Sequence, residues 1–250
     1  MAQIMTHLVA NYPNPSTFLA CFKAMLDQKV DYLEIQLPFS NPMADGPLIY
    51  EANIQALEYK SDLLSVLDSL GQIYDPKIHS TKLFLMSYLT PIQAFGFEKV
   101  VNLLQKSHFH GLILPDLSFG SPEQVKLQSL TKALEMALMP VLPLNISSNR
   151  LAKIISTLES DQLIYFIARN GKTGPKTEVL ELQTRLQELR QQYPDFKLAL
   201  GFGIQNSTQV QQINQSDFIA VIGSEIIRQI QASKPNQEYL TITNFLQNLN

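Results

Sequence analysis

Eight short β-like runs alternate with helical patterns from one end of this 250-residue chain to the other. No other feature limits the possible folds as much. The runs cover residues 6–10, 32–37, 82–88, 111–115, 140–144, 163–169, 197–201 and 218–223. Between them apolar residues recur at i, i+3, i+4 and i+7, as in Phe18, Cys21, Phe22 and Met25, or Leu180, Leu182, Leu186 and Leu189, which is helical spacing. Strands alternating with helices pair in parallel through right-handed crossovers. Eight such units in this length predict an α/β fold, a closed (β/α)8 barrel, with an open doubly wound sheet as the alternative. No linker, low-complexity segment or charge block divides the chain, so residues 1–250 are expected as one domain. A last helix is expected within 236–250, after the break at Lys234-Pro235.

Composition excludes several function classes. Nineteen Lys+Arg against 22 Asp+Glu give a net charge of -3, with no basic excess to displace counterions from a nucleic acid. The longest apolar runs, such as 217–223, fall far short of the ~20 residues of a membrane helix. Residues 1–7 have neither the cationic nor the apolar stretch of a signal peptide. The single cysteine, Cys21, can form neither an internal disulfide nor a zinc cluster. The expectation is a cytoplasmic protein that binds no metal, membrane or nucleic acid.

In a barrel of this kind, chemistry sits at the C-terminal ends of the strands and on the loops that follow. Alternation along the second strand puts Leu33, Ile35 and Leu37 on one face and Tyr32, Glu34 and Gln36 on the other, so Glu34 points into the barrel. A carboxylate there is either tied by a structural hydrogen bond or poised as a general acid, because burial raises its pKa. Asp45 closes the proline-stiffened exit loop, 11 positions later. It is either a turn or helix-cap residue or a second carboxylate facing the same substrate. Glycine-bearing segments follow the last three strands: Arg169-Asn-Gly-Lys-Thr-Gly174, Gly201-Phe-Gly203 and Gly223-Ser224. They either terminate strands or present backbone N–H groups to a phosphate. The sixth-strand segment is not a P-loop, since Phe166 stands where the first glycine is required. His108 and His110 lack a third metal ligand and read as the exposed lead-in to the fourth strand. Asp116 ends that strand as a cap or a supporting carboxylate. Cys21 reads as packed core.

The segment Leu33-Glu-Ile-Gln-Leu-Pro-Phe-Ser-Asn-Pro-Met-Ala-Asp-Gly-Pro47 resembles the signature of the tryptophan synthase α subunit family, and the resemblance runs from Ala10-Asn-Tyr-Pro13 to Gly223-Ser224. It implies a (β/α)8 lyase that cleaves indole-3-glycerol phosphate to indole and glyceraldehyde 3-phosphate in tryptophan biosynthesis. It also implies an α2β2 assembly, with pyridoxal phosphate only in the partner β subunit and no cofactor in this chain. By the same resemblance Glu34 and Asp45 match the catalytic pair. Tyr165 matches an aromatic wall beside the indole, and Thr173 matches a mobile-loop residue that meets the Asp on closure. Gly174, Gly203, Gly223 and Ser224 match phosphate-binding positions.

There are departures from the pattern. Gln36 replaces a family Gly and should point inward beside Glu34, where it would hydrogen-bond that residue or crowd the substrate. Asn41 replaces an Asp and Thr90 an Asn, both on the surface that faces the β subunit in the family. The family's leading helix is expected to be largely absent, and His7 falls about where an aromatic residue often lies near the indole. Alternative functions are a divergent α-like activator of the β subunit, a free-standing indole-releasing lyase, and another phosphate-binding barrel enzyme, against which the long signature loop argues.

Overall fold

The computed structural model describes residues 3–59, 61–168 and 176–249, with the side chains of 176–181 excepted. Nine strand segments run in parallel: β1 Ile4–Val9, β2 Tyr32–Gln36, β3 Lys82–Met86, β4 Gly111–Ile113, β5 Ala137–Met139, β6 Val141–Pro143, β7 Leu163–Ile167, β8 Lys197–Gly201 and β9 Ile219–Ile222. Their order in the sheet is β5-β4-β3-β2-β1-β9-β8-β7-β6. The two ends of that order are consecutive in sequence, which closes the sheet into a barrel.

β5 and β6 are therefore two halves of one barrel strand. The first half pairs with β4 and the second with β7. Ala137, Met139 and Val141 all reach the interior cluster, so side-chain alternation runs unbroken across Pro140. The interruption lies in the hydrogen bonding, because proline has no N–H to donate, although the Pro140 carbonyl still accepts from the Tyr165 N–H at 2.9 Å. The fifth run thus begins three residues before its expected start at 140. The first strand starts at Ile4, two residues before the expected start at 6.

Alternation sorts each strand into two apolar layers. Leu33, Ile35, Leu83, Leu85, Leu112, Phe166, Leu198 and Leu200 face the surrounding helices. Met5, Tyr32, Phe84, Met86, Ile113, Met139, Ala199, Ile219 and Val221 fill the interior. Each buried side chain of this size contributes about 1.5–3 kcal/mol. Gly111 is obligatory in the interior layer, since a Cβ there would come within 2.4 Å of the Ala137 carbonyl and 2.6 Å of the Phe84 ring.

The helices begin where short polar side chains satisfy free N–H groups. Asn14 caps Pro15–Asp27, accepting from the Thr17 N–H at 2.9 Å, and Asp62 caps Leu63–Gly71. The first of these helices buries Phe18, Cys21, Phe22 and Met25, and that burial pushes the Cys21 thiol up to about 12. It packs against the last helix, Glu238–Gln247. Among the described residues no helix is long and apolar enough to cross a membrane.

Candidate active site

Glu34 lies mid-way along β2, opposite His7 of β1 and Phe84 of β3 in the parallel register. Its side chain points inward and is 3 % exposed. Oε2 stands 3.4 Å from Nδ1 of His7, itself 4 % exposed. Burial opposes a charged imidazole, but the Glu34 charge and hydrogen bond, then the Asp45 charge and Gln36, favour it. The net result holds His7 above its ordinary 6.5.

Gln36, one alternation further along β2, is fully buried, but its amide turns to Asp45 and not to Glu34. Nε2 donates to Asp45 Oδ2 at 2.7 Å. The Tyr88 hydroxyl donates to the same oxygen at 3.0 Å and accepts from the Ala44 N–H at 3.1 Å. The exit loop folds back through the Asp45 N–H to Pro42 carbonyl bond, 3.1 Å, and stacks Phe39 on Tyr88 with ring centroids 5.1 Å apart. Asp45 is not the cap of the following helix, Pro47–Ala56, whose N-cap is Gly46. Its carboxyl is raised above the usual value by burial and by Glu34, against the lowering effect of Gln36, His7 and Tyr88. The Glu34–His7 pair and the Asp45–Gln36–Tyr88 group are thus neighbours toward the C-terminal side of β2, near enough for the charge of Glu34 to act on Asp45 and that of Asp45 on His7.

Tyr165 of β7 joins the interior cluster. Its hydroxyl is held well above its ordinary value by burial first and then by the charges of Glu34 and Asp45. The ring needs Gly201, where a Cβ would lie 2.7 Å from the Tyr165 hydroxyl. Gly203, just past β8, takes a φ of 81°, a left-handed conformation suited to glycine. Gly223 is the N-cap of Ser224–Ala232, and no side chain caps that helix. Its backbone passes close to His7, since a Cβ on Gly223 would lie 3.6 Å from the His7 Cβ. Thr173 and Gly174, with the rest of the Arg169 segment, lie outside the described residues.

The remaining candidates separate from this cluster. Both Asp116 carboxylate oxygens accept from the Leu89 N–H, at 2.9 and 3.1 Å, so Asp116 caps the helix Leu89–Phe95. His108 sits in a left-handed turn with φ 60°, ahead of β4. Asn41 and Thr90 are exposed, near Met43, which is 76 % exposed. Among the described residues no group of three His, Cys, Asp or Glu side chains is arranged to hold a metal ion.

The sequence profile of the tryptophan synthase alpha chain family matches residues 1–249. This chain belongs to that family. It is accordingly a carbon–carbon lyase subunit of tryptophan biosynthesis. The tryptophan synthase alpha chain of Staphylococcus carnosus is 31 % identical over 233 residues, 93 % of this chain and 89 % of that relative. The alpha chain of Desulforapulum autotrophicum is 32 % identical over 249 residues, 98 % and 93 % of the two chains. Among solved structures, tryptophan synthase subunit alpha from Campylobacter jejuni superposes with a TM-score of 0.83 at 26 % identity, covering 100 % of this chain and 96 % of its own.

Two members of the cluster in this alpha chain were not singled out as site residues by sequence reasoning. Tyr88 extends the inward series Phe84, Met86 past the end of β3, and that alternation could have found it. His7 was noted only for its position in the family pattern. Its pairing with Glu34 follows once β1 and β2 are placed side by side in register.

Proposed function

We propose that this chain cleaves indole-3-glycerol phosphate to indole and glyceraldehyde 3-phosphate by retro-aldol chemistry, with Glu34 and Asp45 as its catalytic residues. The observation that carries the reading is that an inward carboxylate on β2 and a second one on the loop leaving β2 lie near enough to act on each other's charge, on the side of the barrel where such enzymes do their chemistry. C3 of the indole must gain a proton before the bond to the glycerol side chain can break, and the C3' hydroxyl must lose one to become the aldehyde. Glu34 serves both transfers as general acid and then general base. Asp45 accepts the indole N–H and stabilises the positive charge that develops on the ring. Its two tethering bonds both end on Oδ2, so Oδ1 takes no part in them and is the oxygen assigned to the indole N–H.

Tyr165 forms a wall of the indole site. Backbone N–H groups at Gly174, Gly203, Gly223 and Ser224, helped by the helix that starts at Ser224, hold the phosphate. Thr173, by the same family pattern, is assigned a contact with Asp45 in the substrate complex. The chain needs no cofactor of its own. It works in the cytoplasm as the α subunit of an α2β2 tryptophan synthase, passing indole to a β subunit that carries pyridoxal phosphate. A solved Pyrococcus furiosus structure with the same fold, TM-score 0.83, is described as a tryptophan synthase complex, which supports an assembly of this kind. A coupled assay of glyceraldehyde 3-phosphate release, run with and without the cognate β subunit, tests the reading. Absence of release in both conditions would overturn it.

A further inference from the structure

Resting on the lyase reading, we propose that His7 is a positioning residue that acts through Glu34, storing the proton Glu34 delivers to the substrate and taking it back when the cycle ends. Gln36, the next inward residue of β2 after Glu34, holds Asp45 beside this pair. The geometry starts from the strand register: His7 and Glu34 are direct neighbours on β1 and β2, both face inward, and Nδ1 lies 3.4 Å from Oε2. Both side chains are almost fully buried, so bulk water cannot be the ready source of a proton there.

A buried imidazole is a costly choice if it only fills space, because a phenyl ring of similar shape brings no polar atoms to satisfy. Here His7 Nε2 and Gln36 Oε1 are both buried without a hydrogen-bond partner, while the other end of the Gln36 amide is fixed on Asp45. Glu34 with His7, and Gln36 with Asp45, thus form two adjacent polar pairs, with one unpartnered polar atom on His7 and one on Gln36. Facing His7 are Glu34 and Gln36 from β2 and Asp45 from the exit loop. Tyr165 of β7 faces the two carboxylates, and Gly223 after β9 brings no titratable group. These surroundings favour the charged imidazole over its burial cost.

The proton count closes. In the proposed cycle the proton starts on Nδ1 of His7, 3.4 Å from Oε2 of Glu34. Transfer from Nδ1 to Oε2 leaves a neutral imidazole and a carboxylic acid. Glu34 gives that proton to C3 of the indole. As the carbon–carbon bond breaks, the Glu34 carboxylate takes the C3' hydroxyl proton and returns it to Nδ1. One proton leaves the pair and one comes back.

Because either site can hold it, the proton is kept to a higher pH with His7 present than without it. The alkaline limb of the kcat–pH profile should therefore move toward acid by about one pH unit or more in His7→Phe, with kcat reduced more than KM is raised. His7→Gln provides the same loss in a polar side chain. Imidazole NMR titration of the whole protein, with the His7 resonance assigned by its absence in His7→Gln, should place His7 above 6.5, and Glu34→Gln should bring it down. A His7 titration that Glu34→Gln does not move overturns the pairing, whether or not the protein cleaves indole-3-glycerol phosphate. Active His7 variants whose alkaline limb coincides with that of the wild type overturn the proton store. A wild-type protein with the shifted His7 but no turnover overturns the lyase reading, and the positioning role of His7 with it.

Discussion

At the scale of single residues, Asp45 is stabilised by two donors yet remains a reluctant anion. Burial raises its carboxyl above 3.8, so the folded state binds this proton more tightly than the unfolded chain does. The sign follows from linkage: ionising Asp45 costs stability as pH rises from 3.8 through the folded value. Asp45→Asn is thus expected to lower kcat by roughly 10²-fold or more while its Tm at pH 7 stays level or rises. A clear drop in Tm would contradict the burial argument, because the Asn carbonyl can still accept from Gln36 and Tyr88. Glu34→Gln should cost on the order of 10²-fold or more in kcat with the fold intact, and near-normal turnover would remove Glu34 from its assigned role. His7 has linkage of the same sign in a higher pH window. Its folded value is raised above 6.5, so its contribution to stability is complete below that pH and is lost as pH rises through the folded value. Denaturation series between pH 6 and 9 should show this slope in the wild type and lose it in His7→Phe. Much of this was legible beforehand. Period-two alternation alone turned Glu34 and Gln36 inward. The bond from Gln36 to Asp45 was not, and neither was the one from Tyr88 to Asp45, because partners 9 and 43 positions apart are chosen by how the loop folds back, which local pattern does not encode.

At the scale of elements, two glycines fix how closely strands and rings approach. Gly111→Ala would drive a methyl into the Ala137 carbonyl, a backbone atom that cannot step aside. The expected loss is about 1–3 kcal/mol, read as a lower midpoint in a denaturant titration. Gly201→Ala meets the far end of a side chain, the Tyr165 hydroxyl. Here the ring should move, raising KM for the substrate with little change in Tm, and adding Tyr165→Phe should recover part of the loss. A Gly201→Ala enzyme with unchanged KM would show that Tyr165 has no part in binding. The strands themselves were largely readable, since parallel barrel strands are short apolar runs bounded by turns. The fifth was misread at its start. Met136-Ala-Leu-Met139 consists of good helix formers and follows the helix Pro122–Ala133 closely, so nothing local separates strand from helix. Only pairing with β4 decides it.

At the scale of the whole molecule, the exposed rim around Asn41, Met43 and Thr90 lies beside the loop that carries Asp45. A β subunit that binds this rim better when the loops are closed would shift the population toward the competent form, by no more than its differential affinity. Titrating the cognate β subunit should therefore raise kcat/KM for indole-3-glycerol phosphate. An unchanged value would point to a free-standing lyase. The barrel also carries a consequence for its own synthesis. β1 is held between β2 and β9, and Ile4 pairs with Ala220, so the first strand to leave the ribosome waits for the last before its second edge is covered. Until then the nascent chain carries an open sheet with bare N–H and C=O groups along β1, a surface that invites pairing with other chains. Nascent chains halted before residue 219 should therefore aggregate or recruit chaperones, whereas release of the full chain should end that exposure in a single late step of assembly.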